Sequence, residues 1–324
     1  MKVLIPGGAG YIGSHMVKLL QEKNHEVVVL DNFSTGNRWS ITDCKIIEVD
    51  LINKASLLRS LKDMKFDGII HFAAKSIVQE SIFNPSEYME NNYLGTKNLI
   101  ETVIENNISN NIVFSSTAAV YGNPKIEKIN EECNTKPINP YGESKLLVEK
   151  YLKNLYLNKN LNSISLRYFN AAGAHHSSKI GEKRENETHL IPNILNSIIK
   201  DSKKLEVYGD NYPTKDGTCI RDYIHVTDLA EAHLLALEKM LEESVCEVIN
   251  LGSGVGFSIK EILNECSKVT KTDINYKILP PREGDPAILI ADITKALRIL
   301  NWTPRHSDIQ NIISTAWNWH IKSI

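Results

Sequence analysis

Gly7-Gly8-Ala9-Gly10-Tyr11-Ile12-Gly13 follows the apolar run Val3-Leu4-Ile5, with only Pro6 between them. Gly7, Gly10 and Gly13 recur at every third position, where a buried strand gives way to a helix. Glycine permits a tight turn there and lets backbone amides approach phosphate oxygens. The positive end of the following helix favours the same negative charge. Asp31 closes a second apolar run, Val27–Leu30, about 20 residues further on, placed to accept from both hydroxyls of a ribose. A carboxylate at that place repels a 2′-phosphate, so the pattern predicts NAD rather than NADP. Arg38 nearby points the other way and reads as a solvated charge.

Outward from this loop, short β-branched runs alternate with longer helical patterns through the first half of the chain. That alternation is the signature of βαβ units and a parallel sheet. Val3–Ile5, Val27–Leu30, Ile46–Val49, Gly68–Phe72, Ile112–Ser115 and Ile164–Leu166 read as buried strands. Ile12–Lys23, Ala55–Met64, Pro85–Asn106 and Tyr141–Leu157 read as helices, with Asn84 as the cap ahead of Pro85. Residues 171–189 are rich in Gly, His, Ser, Lys and Glu and read as a loop. Ile224–Leu241 and Val248–Leu251 add one more helix and strand, and the turn from Pro280 to Pro286 opens an irregular final section.

A second chemical signal lies far from the first. Tyr141 and Lys145 are four residues apart, which places them on one helical face. The spacing alone means little, since Tyr93/Lys97 and Tyr121/Lys125 share it. The 121/125 pair contains Pro124 and cannot form a regular helical turn; the 93/97 pair falls within a helix and reads as a surface pair. Only Tyr141/Lys145 opens a helix after the strand that ends in Ser115-Ser116-Thr117. A free tyrosine has a pKa of about 10, so it needs a neighbouring cation to act as a base near neutrality. Strand alternation turns only one of Ser116 and Thr117 inward, and Thr117 is the expected one.

Composition bounds the rest. The 324 residues suffice for about two domains. A net charge of −2 argues against a nucleic-acid or membrane-surface partner. The five cysteines are scattered with no CxxC pair, which suits reduced thiols in the cytoplasm. No signal-peptide core and no apolar run of membrane-spanning length is present. His15, His71, His225 and His233 read as packed or hydrogen-bonded residues, and His175 and His176 as solvated ones. No metal site is expected.

With these residues in place, the chain resembles the extended short-chain dehydrogenase/reductase superfamily and, within it, the UDP-glucose (UDP-galactose) 4-epimerases. The resemblance runs over almost the whole length. It is carried by GGAGYIGSH (7–15), LDN (30–32), HFAA (71–74), FSSTAAVYG (114–122), NPYGESK (139–145) and LRYFNAAGA (166–174). YGDNYPTKDGTCIRDYIHVTDLA (208–230), INLGSG (249–254) and REGDPA (282–287) continue it. It implies an α/β fold, a Rossmann-type doubly wound parallel sheet with a smaller, interleaved α/β substrate domain. Residues 1–170 plus 222–251 would form the NAD-binding part, and 171–221 plus 252–324 the nucleotide-sugar part.

The resemblance also implies roles. Thr117, Tyr141 and Lys145 match the catalytic Ser/Thr-Tyr-Lys set. Tyr11, Ile12, Asp31, Asn32, Asp50, Leu51, Phe72, Ala73, Asn91 and Tyr168 match positions that line NAD, beside Gly7, Gly10 and Gly13. Phe169, Asn170, His189, Leu190, Tyr208, Arg221, Arg282 and Asp285 match the UDP-sugar site, where the two arginines would pair with the diphosphate. Leu289 holds the position where a bulky aromatic restricts the family's pocket and a small residue admits N-acetyl groups. Pro6 replaces the usual Thr, for which a local adjustment at the strand end is expected. Lys75 stands one position before the family's usual lysine, with Ser76 in its place, so no contact is carried over to it.

The implied activity is NAD-dependent 4-epimerisation of a UDP-hexose through a 4-keto sugar, in galactose metabolism and UDP-sugar supply. A homodimer through the helices at 85–106 and 141–157 is also expected, with Tyr88, Leu99 and Val103 supplying apolar area beyond what the sheet needs; the alternative is that all three pack on the sheet. Ala118-Ala119 after the threonine argue against a sugar dehydratase, which needs an acid/base pair there. An epimerase of N-acetylhexosamine, uronic acid or pentose nucleotides is the alternative; a non-catalytic NAD-binding protein is a second.

Overall fold

The β-branched runs of the first half extend because their side chains pack well on both faces of a covered sheet. The computed structural model describes residues 1–200, 205–282 and 285–323. Glu283 and Gly284 of the REGDPA segment lie outside the described residues. In chain order the strands are β1 (Lys2–Pro6), β2 (Glu26–Asp31), β3 (Lys45–Glu48), β4 (Gly68–His71), β5 (Asn111–Thr117), β6 (Asn162–Tyr168) and β7 (Asn170–Ala172). β8 (Leu205–Tyr208), β9 (Ile220–His225), β10 (Cys246–Leu251), β11 (Gly256–Ser258), β12 (Tyr276–Leu279) and β13 (Ile288–Leu289) follow.

Seven strands form one sheet in the order β10-β6-β5-β4-β1-β2-β3. The pairs β1–β2, β1–β4, β2–β3 and β4–β5 are parallel, as βαβ alternation requires. Leu4, Val28, Ile69, Ile112 and Phe114 from the strands meet Leu57, Leu99, Val103, Val148 and Leu152 from the helices in one core. Contacts divide the chain into two units. The first is Met1–Gly122, Asn134–Arg167 and Ala230–Ile249; the second is Asn123–Cys133, Tyr168–Leu229 and Asn250–Ile324. β9 falls in the second unit, although residues 222–251 were expected with the first, because its partners are β7, β11 and β13. That unit also holds the parallel pair β12–β8, over a core including Ile194, Val207, Tyr223, Ile262 and Ile313.

Several expectations change in the structure. The helix expected from Pro85 runs without a gap to Glu105, but its middle, Met89–Leu94, is wound as a π turn. Asn84 makes no side-chain cap; it lies where the helix Val78–Phe83 ends, its amide still donating to Glu80 O at 2.9 Å. Tyr88, Leu99 and Val103 are 0 %, 1 % and 0 % exposed. Their apolar area serves the unit's own packing and offers nothing to a second copy. Residues 171–189 do form a loop beyond β7, but much of it is interior. His175 is buried and bonds Ser177, and Gly181 leaves room for the Trp319 ring, which an added Cβ would meet at 2.4 Å. His15, His71, His225 and His233 each hold a hydrogen bond, to Tyr11 O, Thr96, Thr315 and Ser115. Among the described residues, no helix is long and apolar enough to cross a membrane.

Candidate functional site

The first unit holds a cavity at the carboxyl ends of its parallel strands, where ligands gather in open α/β sheets. Gly7 turns the chain out of β1 at φ +79°, and a Cβ there would lie 2.3 Å from the Ala73 amide nitrogen. A Cβ on Gly13 would lie 2.1 Å from Gly7 O. Glycine at both places lets the loop, the β4 end and the helix Tyr11–Glu22 close on one another. Pro6 stays within β1, opposite Leu30, and its carbonyl accepts from Phe72 N and Ala73 N at 2.8 and 3.0 Å.

Gly7, Gly10, Asp31, Asn32, Asp50 and Leu51 line the cavity, with Phe72, Ala73 and Asn91 across from them in sequence. Tyr11, Ile12 and Gly13 open the helix behind the loop and are not among the lining residues. Asp31 is 8 % exposed, and its carboxylate accepts from Ala9 N at 3.0 Å and Phe33 N at 2.8 Å. Burial raises its pKa, and the two amides oppose that rise. Arg38 is an exposed charge, as expected, that pairs at the surface with Glu48 and stacks 3.9 Å from the Phe33 ring. Ser34, Thr35, Gly36 and Lys75 also line the cavity and were missed in the sequence. Lys75 was set aside on register alone; its ammonium pairs with Glu80 and Glu87.

The Thr-Tyr-Lys set is assembled by β5 and the helix Pro140–Lys159. Asn139 caps that helix, accepting from Gly142 N at 2.8 Å, and Pro140 takes the first turn. Gly142 seats the helix start on the turn after Thr117: a Cβ there would lie 2.6 Å from Ala119 O. Thr117 Oγ1 accepts from Ala119 N at 3.1 Å. Ser116 instead donates to the buried Glu149, so the two neighbours diverge as strand alternation demands. Tyr141 is buried with its ring edge-on to Tyr88, centroids 6.5 Å apart.

Lys145 is 3 % exposed and donates to Ser115 O at 2.8 Å. Burial pushes its pKa down to about 7, with Glu149 pulling the other way. Glu149 is itself neutralised by Arg167, whose Nε lies 2.9 Å from Oε1 and whose Nη1 donates to Tyr121 at 2.9 Å. His71, at the end of β4, is pushed down to about 3 by burial and by the Lys145 charge, and stays neutral. Asn92, in the π turn, ties this region to the cavity: its side chain accepts from Lys75 N at 2.8 Å and donates to Ser144 at 3.2 Å. π turns often serve sites in this way.

The second unit groups other expected residues. Arg221 on β9 pairs with Asp285 and stands opposite Leu289 on β13. Arg282 lies 4.1 Å from the Tyr208 ring centroid. Asn170 Nδ2 donates to Asp222 O at 2.9 Å, and Phe169 N to Leu251 O at 3.2 Å. Tyr168, at the end of β6, belongs to this unit and not to the one holding the cavity. His189 is held by a carboxylate: its Nδ1 is 2.7 Å from Glu182, which also receives Arg184 at 2.9 Å. Leu190 follows it at the start of the helix Leu190–Lys200. Burial disfavours the imidazolium, yet Glu182 outweighs it and raises the His189 pKa. Glu182, Glu187 and His189 bring ligand atoms within 4.8 Å of one another; an imidazolium paired to a carboxylate beside Arg184 accounts for that grouping as an ion-pair cluster.

A family model for the NAD dependent epimerase/dehydratase family matches residues 3–252. The UDP-glucose 4-epimerase of Lactobacillus helveticus is 45 % identical over 99 % of this chain and 97 % of its own. The solved UDP-glucose-4-epimerase of Stenotrophomonas maltophila, with bound NAD and formylated UDP-arabinopyranose, is 35 % identical; it superposes at a TM-score of 0.95, covering 100 % of this chain and 98 % of its own. The UDP-Glc/GlcNAc 4-epimerase of Campylobacter jejuni is 40 % identical at a TM-score of 0.86, covering 99 % of both chains.

The buried ammonium has a thermodynamic consequence. Below pH 7 both folded and unfolded chains carry the Lys145 charge, so the folded state bears the full burial penalty. Above pH 7 the folded chain sheds the proton first, and stability gains until the unfolded lysine titrates. Lys145→Met should therefore raise the Tm of the cofactor-free protein more at pH 6 than at pH 9. Equal shifts at both pH values would contradict a lowered lysine pKa.

Proposed function

This chain belongs to the NAD dependent epimerase/dehydratase family, and on that premise we propose that it interconverts UDP-galactose and UDP-glucose by 4-epimerisation through a 4-keto sugar. The observation that carries the reading is the buried Tyr141–Lys145 pair on the helix that starts against the end of β5. It stands in a chain similar over nearly its full length to UDP-glucose 4-epimerases.

The first unit fits NAD. The cradle at Gly7 and Gly13 has no room for a side chain, as close approach of a pyrophosphate demands. Asp31 offers its carboxylate to the ribose hydroxyls and would repel a 2′-phosphate. When bound, NAD supplies a hydride acceptor for C4 of the sugar and returns the hydride to the opposite face. Tyr141 takes the 4-hydroxyl proton and later gives it back. Lys145 favours the phenolate while charged, and Thr117 shares the hydroxyl's hydrogen bond. Arg221 and Arg282 hold the diphosphate, with Phe169, Asn170, His189, Leu190, Tyr208 and Asp285 completing the nucleotide-sugar side. Holding the UDP part leaves the hexose free to turn over. Leu289, opposite Arg221, sets the room beside the sugar.

We place the protein in the cytoplasm, on its five unpaired thiols, as a homodimer. With Tyr88, Leu99 and Val103 enclosed, Leu94 at 41 % and Leu157 at 70 % are the most exposed large apolar side chains left to a pairing face on these helices. A soluble cell extract should carry the protein at twice the chain's mass; a species of single-chain mass would contradict the pairing.

Tyr141→Phe should lower kcat by about 10²–10⁴-fold while nucleotide binding is kept, measured by proton NMR of UDP-galactose conversion. Turnover near that of the unaltered protein would sink the assignment. The same assay with UDP-N-acetylgalactosamine reads what Leu289 admits: conversion at a comparable rate would widen the substrate class to N-acetylhexosamines.

A further inference from the structure

Tyr212 sits in the loop that joins β8 to β9, and two observations about it have separate causes. Its ring is explained by packing. Gly209 follows β8 at φ +81°, and a Cβ there would meet the Tyr212 ring at 2.5 Å and Pro281 at 3.1 Å. The loop is held by its own backbone: Tyr212 N donates to Gly217 O at 2.9 Å, and Thr214 N to Tyr212 O at 2.7 Å. The hydroxyl is not explained by packing. It is enclosed from solvent and has no hydrogen-bond partner among the described residues. A phenylalanine would fill the same space without the cost of an unpaired polar atom.

The charges that act on that hydroxyl are those of Asp285, Arg221 and Arg282. Burial, then Asp285, raises its pKa, so it remains a protonated donor at neutral pH. The loop that holds this enclosed donor runs into β9, which carries Arg221, and its Gly209–Tyr212 turn packs at Pro281, the residue before Arg282. An O–H donor and two guanidinium groups drawn into one region suit an anion. Arg221 reaches Asp285 and Ile220 O, and Arg282 lies against Tyr208.

We propose that Tyr212 is a substrate-binding residue whose hydroxyl donates to a phosphate oxygen of the bound nucleoside diphosphate, beside Arg221 and Arg282. This rests on the assignment of the two arginines to the diphosphate. The hydroxyl has no partner among the described residues because its acceptor arrives with the ligand. Tyr212 thereby contributes to the hold on UDP and not to the chemistry at C4.

The test is Tyr212→Phe, with Arg282→Met as the reference variant, using UDP and uridine as inhibitors of UDP-galactose conversion. For Tyr212→Phe the inhibition constant of UDP and the KM of UDP-galactose should rise about tenfold, the loss expected for a hydrogen bond to a charged group. Inhibition by uridine and kcat should stay within twofold, and the Tm without ligand should hold or rise. UDP inhibition unchanged in Tyr212→Phe but weakened in Arg282→Met would overturn the role of Tyr212 alone. UDP inhibition unchanged in Arg282→Met would overturn the arginine assignment and this proposal with it. An equal loss for uridine, or a fall of several degrees in Tm, would mean the hydroxyl serves the base or the fold, and would also overturn it.

Discussion

A cation buried at the carboxyl end of a parallel sheet is the constraint around which the first unit is arranged. Lys145 carries its ammonium where water does not solvate it, which disfavours the charge unless neighbours supply the lost stabilisation. Three do. Ser115 O accepts its hydrogen bond, the Phe114 ring faces it at 4.8 Å, and Glu149 stands one helical turn further on. Glu149 cannot be left as a bare buried anion. Arg167 from β6 engages it through two nitrogens, and Ser116 fills a remaining position. The Ser116 contact turns Thr117 to the other face of β5. Electrostatic compensation and strand orientation thus come from one network, and removing either member of its ion pair would strand a charge at several kcal/mol.

The second unit solves an analogous problem with two buried aspartates. Asp222 accepts from Ser253 N, Gly254 N and Ala291 N at 2.7, 3.0 and 3.1 Å. It fixes the turn after β10 and the segment after β13 to the strand that carries Arg221. Asp228 gathers Arg305 N, His306 N and the Ser307 hydroxyl in the same manner. These contacts fix the backbone on either side of Arg221 and Leu289.

The glycine loop, Asp31 and the Tyr141–Lys145 pair were legible in the sequence because each is local: a turn, a strand end, one helical turn. The parallel sheet was legible for a related reason, since runs buried on both faces read as continuous apolar stretches. What escaped is set by distance along the chain. Nothing in the sequence pairs Glu149 with Arg167, Lys75 with Glu87, or Glu182 with His189, because each pairing is created by the packing of separate elements. Tyr88, Leu99 and Val103 were misjudged for another reason. Helical periodicity shows that a face is apolar without showing what covers it, and here the unit's own core does. The π turn at Met89–Leu94 was invisible too, being a register change that places Asn92 against Lys75 and Ser144.

The central claim is that hydride leaves C4 of the sugar and returns to the same carbon without exchange with water. The most direct measurement is to convert UDP-galactose carrying deuterium at C4 in ordinary water and examine the UDP-glucose formed by NMR. Full retention of deuterium at C4, with no added cofactor, is the predicted result. Loss of the label to solvent, or inversion that needs no dinucleotide, would contradict the account.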